Sequence, residues 1–169
     1  MEKLGLKFVA DYVSVEEEIQ LIADIENFRK TNPKLVANYG DNNYDSIYFG
    51  DRYKKPIDDA FESLKNIYTR LINDNYIQDI PFGIAINKYK KGQKIAAHID
   101  KPISGPIVTI LSLGSVSTMV FKKSNHSAVD IELFPRSMIR MTGEIRDNWT
   151  HEILPVKDTR YSIVFRSLI

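Results

Sequence analysis

The sequence predicts a mainly β fold, a jelly roll or barrel of short strands with helices packed outside it. Three observations predict it. From residue 82 onward, short apolar or alternating runs are divided by turn signals every few residues, as in antiparallel sheets. Before residue 82, apolar residues recur at helical spacing in two segments. The chain has 169 residues, 43% of them apolar and 27% charged, which suits one hydrophobic core and excludes a disordered or fibrous chain.

Residues 6–13 read as a short strand. Ser14-Val15-Glu16-Glu17 is a capping box, in which the serine hydroxyl and the glutamate carboxylate satisfy orphan amides. A helix should follow to about Arg29, with Leu21, Ile22, Ile25 and Phe28 on one face, and Thr31-Asn32-Pro33 should end it. Residues 35–54 have no clean period and are dense in Tyr, Asn, Asp and Gly, including Asn42, which reads as a loop or loose hairpin. A second helix is expected over 56–75, with Pro56 in its first turn and Ile57, Phe61, Leu64, Ile67, Tyr68 and Leu71 along its apolar face. Strands are expected at 82–89, 95–100, 106–113, 118–122, 129–134, 137–142 and 160–168, with a turn at Gly143-Glu144. The organisation expected is one domain over 1–169. Residues 1–81 supply the N-terminal helices and a substrate-lid region, and residues 82–169 supply the β core.

The chain has no cysteine, which removes thiol nucleophiles, thiolate zinc sites, iron–sulfur clusters and disulfides. Any metal must be held by His, Asp or Glu, and there are three histidines. Lys plus Arg is 23 and Asp plus Glu is 22, so nucleic-acid binding would need a local patch and not bulk charge. The N-terminus does not read as a signal peptide. The most apolar stretch, 107–121, is broken by Ser and Thr and is too short for a membrane span. No membrane is expected, and the location expected is cytoplasmic, or nuclear in a eukaryote.

Three constellations carry chemistry. In His98-Ile99-Asp100 the two polar side chains share one face of a strand, with α-carbons roughly 7 Å apart. With His151 they make two imidazoles and one carboxylate, the facial triad of non-haem Fe(II) oxygenases, which leaves positions open for a co-substrate and O₂. The same donors also suit zinc. By itself H-x-D is weak, and His98 taken alone reads more readily as a buried histidine bonded to a neighbour than as a ligand. On the last strand, Arg160, Ser162, Val164 and Arg166 share one face, and Tyr161, Ile163 and Phe165 the other. Two guanidinium groups facing a barrel interior require anions, either a dicarboxylate ligand or protein carboxylates. One strand before His98, Asn87 and Tyr89 share a face and can hydrogen-bond the same ligand.

The order N-x-Y, H-x-D, distal His and R-x5-R resembles the AlkB family of Fe(II)/2-oxoglutarate dioxygenases. The segments INKYKKGQKIAAHID, IVTILSLGS with MVFK, PRSMIRMTGEIRDNWTHEI and RYSIVFR carry the resemblance over roughly residues 82–168. The LSLGS and MTGE-x-R-x-x-W-x-H segments look most like the eukaryotic AlkB-homologue branch, which includes the AlkB domain of the tRNA wobble-uridine hydroxylase. The resemblance implies a double-stranded β-helix (jelly roll) with an N-terminal α/β extension. It implies Fe(II), 2-oxoglutarate as co-substrate and O₂. It implies that His98, Asp100 and His151 ligate iron, and that Arg160 binds the distal carboxylate of 2-oxoglutarate with Tyr89 helping. Arg166 and Asn87 would sit at the carboxylate end beside the metal. Ser162 stands where the family motif usually has Asn, and Val164 where it often has Thr; Ser162 is counted with the co-substrate residues. The substrate implied is a modified base in DNA or RNA, tRNA included, hydroxylated or oxidatively demethylated. A protein side chain as substrate, and a catalytically inactive binding module of the same fold, are the alternatives. Without the RNA-recognition and methyltransferase domains of the tRNA enzymes in that branch, the chain is expected to bind its substrate by itself or with an accessory protein.

Family members that flip a base stack it on aromatics. Here Tyr39, Tyr44 and Tyr48 are the candidate lid residues; the alternative is that they pack the loop onto the helices. Lys54-Lys55 and Lys88, Lys90, Lys91 and Lys94 could grip phosphates if they flank the metal face. Trp149 reads as a core aromatic, Glu144 and Arg146 as a structural pair at a turn, and His126 as an exposed turn residue.

Overall fold

The computed structural model describes residues 1–40 and 43–167. The capping box forms as expected. Ser14 Oγ accepts the Glu17 amide at 3.2 Å, and Glu17 accepts the Ser14 amide at 2.8 Å. It opens α1 (Val15–Thr31), which buries Leu21 and Ile25. The second helix, α2 (Glu62–Asn73), starts later than the expected Pro56. Pro56 instead precedes a 3-10 turn (Ile57–Asp59), and the chain extends at Ala60 and Phe61. That extension sets the Phe61 ring against Phe28 and Phe49, with centroids 6.2 and 6.4 Å away. Packing between segments thus overrides a helical period that runs on unbroken in the sequence.

Two antiparallel sheets form the jelly roll. The larger has seven strands: β1 (Leu6–Val9), β2 (Ala37–Asn38), β3 (Asp45–Phe49), β4 (Gly83–Tyr89), β6 (Ile107–Gly114), β9 (Met138–Met141) and β11 (Arg160–Ser167). Their spatial order is β1-β9-β6-β11-β4-β3-β2. The smaller has four: β5 (Ile95–His98), β7 (Ser117–Lys122), β8 (Val129–Leu133) and β10 (Thr150–Ile153), in the order β5-β10-β7-β8. The N-terminal residues therefore supply three strands of the large sheet as well as two helices. The segment over 35–54 is a hairpin, with β2 pairing β3 and β3 pairing β4. Asn42, and the expected end of the last strand at Leu168, lie outside the described residues.

The expected strand over 95–100 stops at His98, so Asp100 lies beyond it in the irregular stretch that leads to a 3-10 turn (Pro102–Ser104). The turn expected at Gly143-Glu144 opens a short helix, α3 (Gly143–Asn148), which leads into β10. Neither α3 nor β10 is long enough to show a period. β10 exists because it pairs on both sides, with β5 and with β7.

The large sheet divides the core. On its outer face Ile84, Ile86, Tyr161, Ile163 and Phe165 pack against α1 and α2. On its inner face Ala85, Tyr89, Val108, Ile110 and Val164 meet Met119 and Phe121 of the small sheet. The alternation read along 160–166 is realised, with its polar members turned into the roll. No helix among the described residues is long and apolar enough to cross a membrane.

Candidate active site

Register assembles the inner face. β11 lies between β4 and β6, with Arg160 opposite Tyr89 and Ser162 opposite Asn87. Opposed residues point to the same side of a sheet. The Arg160 guanidinium accordingly lies over the Tyr89 ring, 5.0 Å from its centroid. Asn87 Nδ2 donates to Ser162 Oγ at 3.3 Å, and Asn87 Oδ1 accepts the Ser46 hydroxyl at 2.7 Å.

Arg160 is only 1% exposed. Its Nη2 donates to Ser112 Oγ at 3.1 Å, while its Nε and Nη1 are buried with no partner among the described residues. Burial pushes its pKa down from the ordinary arginine value. A buried cation with two unused donors is costly until an anion pairs with it. Its planar fork matches a carboxylate bidentately. This is an independent observation in favour of a carboxylate-bearing ligand.

The small sheet carries the other half. β5 and β10 place His98 directly opposite His151, with ring centroids 4.4 Å apart. Asp100 Oδ2 lies 3.6 Å from His151 Nε2. One donor atom from each of the three residues lies within 4.8 Å of the others. His98 Nδ1 donates to the Ala96 carbonyl at 2.9 Å, which leaves Nε2 as the ring nitrogen available to a metal. Burial, and then the neighbouring His98, push the His151 pKa down to about 4. That imidazole is neutral at pH 7, as a metal ligand must be. Two imidazoles and a carboxylate so gathered fit a divalent transition metal with open positions.

The expected pairing of Glu144 with Arg146 does not form. Glu144 takes Lys123 and Asn148 instead. Arg146 is buried and donates to three backbone carbonyls, those of Asp100 at 3.0 Å, Lys101 at 2.7 Å and Gly105 at 2.9 Å. Strand alternation ends at His98, and the α3 arginine holds Asp100 in its place. Nothing in the local sequence signals this role, because the partners are main-chain atoms some forty residues earlier.

Arg166 stands at the metal end, its Nη2 3.4 Å from Asp100 Oδ1 and its Nη1 donating to Tyr53 Oη at 3.3 Å. Above this floor is a pocket of about 500 Å³ lined by all eight metal and co-substrate candidates, within the usual range for a small-molecule site. Its wall is aromatic. Tyr39, Tyr44 and Tyr48, the candidate lid residues, all line it, and Tyr53 joins them. Tyr44 lies between Tyr39 and Tyr89, with centroids 5.3 Å from each, and Tyr48 is 4.4 Å from Tyr53. The Tyr39 and Tyr48 hydroxyls share a hydrogen bond of 2.5 Å. Burial pushes the Tyr44 pKa up to about 12 and raises that of Tyr48, so these two rings present uncharged phenol.

None of the lysines in the two basic clusters read from the sequence lines this pocket. Lys88 points to the outer face and pairs with Glu26 at 2.7 Å. Lys55 lies over the rings of Phe28 and Phe49. The cations at the pocket are Arg52 and Lys101 in addition to the two arginines of β11. Trp149 is buried as expected, and the exposed His126 rests edge-on against it at 5.3 Å.

The sequence profile of the 2OG-Fe(II) oxygenase superfamily matches residues 9–166. The chain is 33% identical over 167 residues to tRNA (carboxymethyluridine(34)-5-O)-methyltransferase ALKBH8 of Mus musculus, an alignment covering 90% of this chain and 24% of that protein. It thus spans about a quarter of that relative's length. Two solved structures share the fold. OsALKBH1 superposes with a TM-score of 0.67 at 14% identity, covering 96% of this chain and 98% of that one. A Pseudomonas putida prolyl-4-hydroxylase superposes with a TM-score of 0.74 at 12% identity, covering 98% and 94%.

Proposed function

The chain belongs to the 2OG-Fe(II) oxygenase superfamily and is a dioxygenase using Fe(II), 2-oxoglutarate and O₂; from that premise we propose that it is an AlkB-like member, close to the eukaryotic AlkB homologues, and that it hydroxylates or oxidatively demethylates a modified base in nucleic acid. The observation that carries the substrate class is the wall of tyrosines over the metal face. A planar base stacks on phenol rings whatever its hydrogen-bonding edge. The mouse relative's name, which places its action on a tRNA uridine, supports RNA as the nucleic acid.

In this reading His98, Asp100 and His151 hold the iron. The bound group supplies a two-electron oxidation that places a hydroxyl on a C–H bond beside it, with 2-oxoglutarate consumed to succinate and CO₂. Arg160 takes the distal carboxylate of 2-oxoglutarate, with the Tyr89 ring beneath the guanidinium. Asn87 and Ser162 hold each other in place on the pocket floor. Arg166 lies against Asp100, its Nη2 donating toward Oδ1, and limits where that carboxylate can turn. The tyrosines orient the base and exclude water, which is positioning and not proton transfer.

The test is succinate formation from 2-oxoglutarate with Fe(II) and ascorbate, run beside a His98→Ala control. N-methylated DNA and RNA oligonucleotides, bulk tRNA and proline-containing peptides are offered in turn. Stimulation of about tenfold or more by one nucleic acid, absent in the control, is the expected result; a tenfold change in rate is about 1.4 kcal/mol of activation free energy. Stimulation by peptide alone transfers the assignment to a protein substrate.

A further inference from the structure

Two cations at the pocket mouth lie outside the chemistry described so far. Arg52, on a 3-10 turn (Asp51–Tyr53), and Lys101, next to Asp100, both line the pocket. No ion pair among the described residues includes either of them. Arg52 Nη1 donates to the Ile103 carbonyl at 2.9 Å, and its Nε is buried without a partner among the described residues. That bond joins the hairpin side of the mouth to the loop after Asp100, whose other side Arg146 holds. On this loop Ile103 is 65% exposed, more than any other large apolar side chain among the described residues.

The loop is braced, so exposure of Ile103 is a fixed feature of the surface. A metal and a dicarboxylate answer the charges of Asp100, Arg160 and Arg166 on the pocket floor. They leave Arg52, which lies 5.5 Å from the Tyr53 ring centroid, and Lys101 without a carboxylate partner among the described residues at the rim. An aliphatic tip set beside two cations complements a polyanionic strand, whose phosphates meet the cations and whose base faces meet the tip.

We propose that Arg52, Lys101 and Ile103 form a rim that grips the nucleic-acid strand beside the extruded nucleotide, and that this rim makes an oligonucleotide, not a free nucleotide, the substrate. The cations take the phosphates flanking the target, and Ile103 packs on the neighbouring base. The proposal rests on the reading of the pocket as a nucleotide site. A free nucleotide fills the pocket but leaves the rim unused.

The experiment uses protein loaded with Mn(II) and 2-oxoglutarate. A fluorescein-labelled single-stranded oligonucleotide bearing one N-methylated base is bound by anisotropy between about 50 and 200 mM salt. Arg52→Ala and Lys101→Ala are each expected to weaken binding by about tenfold at low salt and to cut the log–log salt slope by about 0.7. A second probe carries 2-aminopurine next to the target base. Wild-type protein is expected to change its fluorescence on binding, and Ile103→Ala, a change at an exposed position, to abolish that change. Unaltered affinity and salt slope in both cation variants, or an unaltered 2-aminopurine signal in Ile103→Ala, overturns the rim. Wild-type protein that binds no oligonucleotide while a peptide stimulates succinate formation overturns the substrate class beneath it.

Discussion

Arg160 separates stability from function at a single side chain. It is fully buried, yet its protein partners are the Ser112 hydroxyl and the Tyr89 side chain, with no carboxylate among them. Replacing a buried, underpartnered charge by an apolar residue of similar length is often neutral or stabilising. Binding of a carboxylate to a guanidinium, by contrast, is a charge-assisted interaction of about 1.5–3 kcal/mol. Arg160→Met is therefore expected to keep or raise the melting temperature of the metal-free protein. The same variant should raise the KM for 2-oxoglutarate by roughly ten- to a hundredfold. Thermal melts and 2-oxoglutarate titrations check the two halves separately. Loss of stability together with an unchanged KM would assign Arg160 to the core. Tyr39, half-exposed on the pocket wall, makes the matching test on the substrate side. Tyr39→Ala should weaken oligonucleotide binding by the worth of one stacked ring, about 1–3 kcal/mol, without altering the KM for 2-oxoglutarate.

Among the elements, the segment from α3 to β10 does more than its length suggests. In about ten residues it supplies the arginine that holds the Asp100 turn and the histidine that faces His98. Two of the three metal donors thus depend on one short stretch of chain. Arg146→Met leaves three carbonyls without their donor. It is expected to weaken Mn(II) or Co(II) binding by tenfold or more, measured by calorimetry. Hydrogen exchange should quicken at Ser104 and Gly105, whose amides close the turn on Lys101 and Pro102. Faster exchange with unchanged metal affinity would show that Arg146 braces the loop without setting Asp100.

The whole molecule holds its metal site without being built on it. Both hydrophobic clusters close through sheet and helix packing, and the three donors sit at the edge of the inner one. Chelation should therefore leave the β circular dichroism intact. Binding of an ion at about a hundred times its Kd adds roughly 2.7 kcal/mol, so removing it should lower the melting temperature by about 5–10 °C in a chain of this size. Collapse of the β signal on chelation would mean that the metal is part of the core.

How much was legible in the sequence follows the range of the forces involved. Alternation along 160–166, the capping box at Ser14, the helical period of α1 and the strand runs from 82 onward are local, and one chain segment is enough to read them. They determined the jelly roll, the inward face of the arginines and, with the His-x-Asp and distal His, the donor set. What tertiary structure alone decided is pairing. The register that puts Arg160 on Tyr89 and His98 on His151, the double pairing that makes β10 a strand, and the extended turn at Phe61 all depend on residues far away in the chain. The same holds for charge. Lys55 and Lys88 look like a basic surface in the sequence, yet one lies on aromatic rings and the other on Glu26. Arg52 and Lys101 carry no pattern at all, yet both line the pocket. Side-chain spacing is written in the chain, but the partner of a buried or rim charge is chosen by which strands lie side by side, and that is settled only when the sheets close.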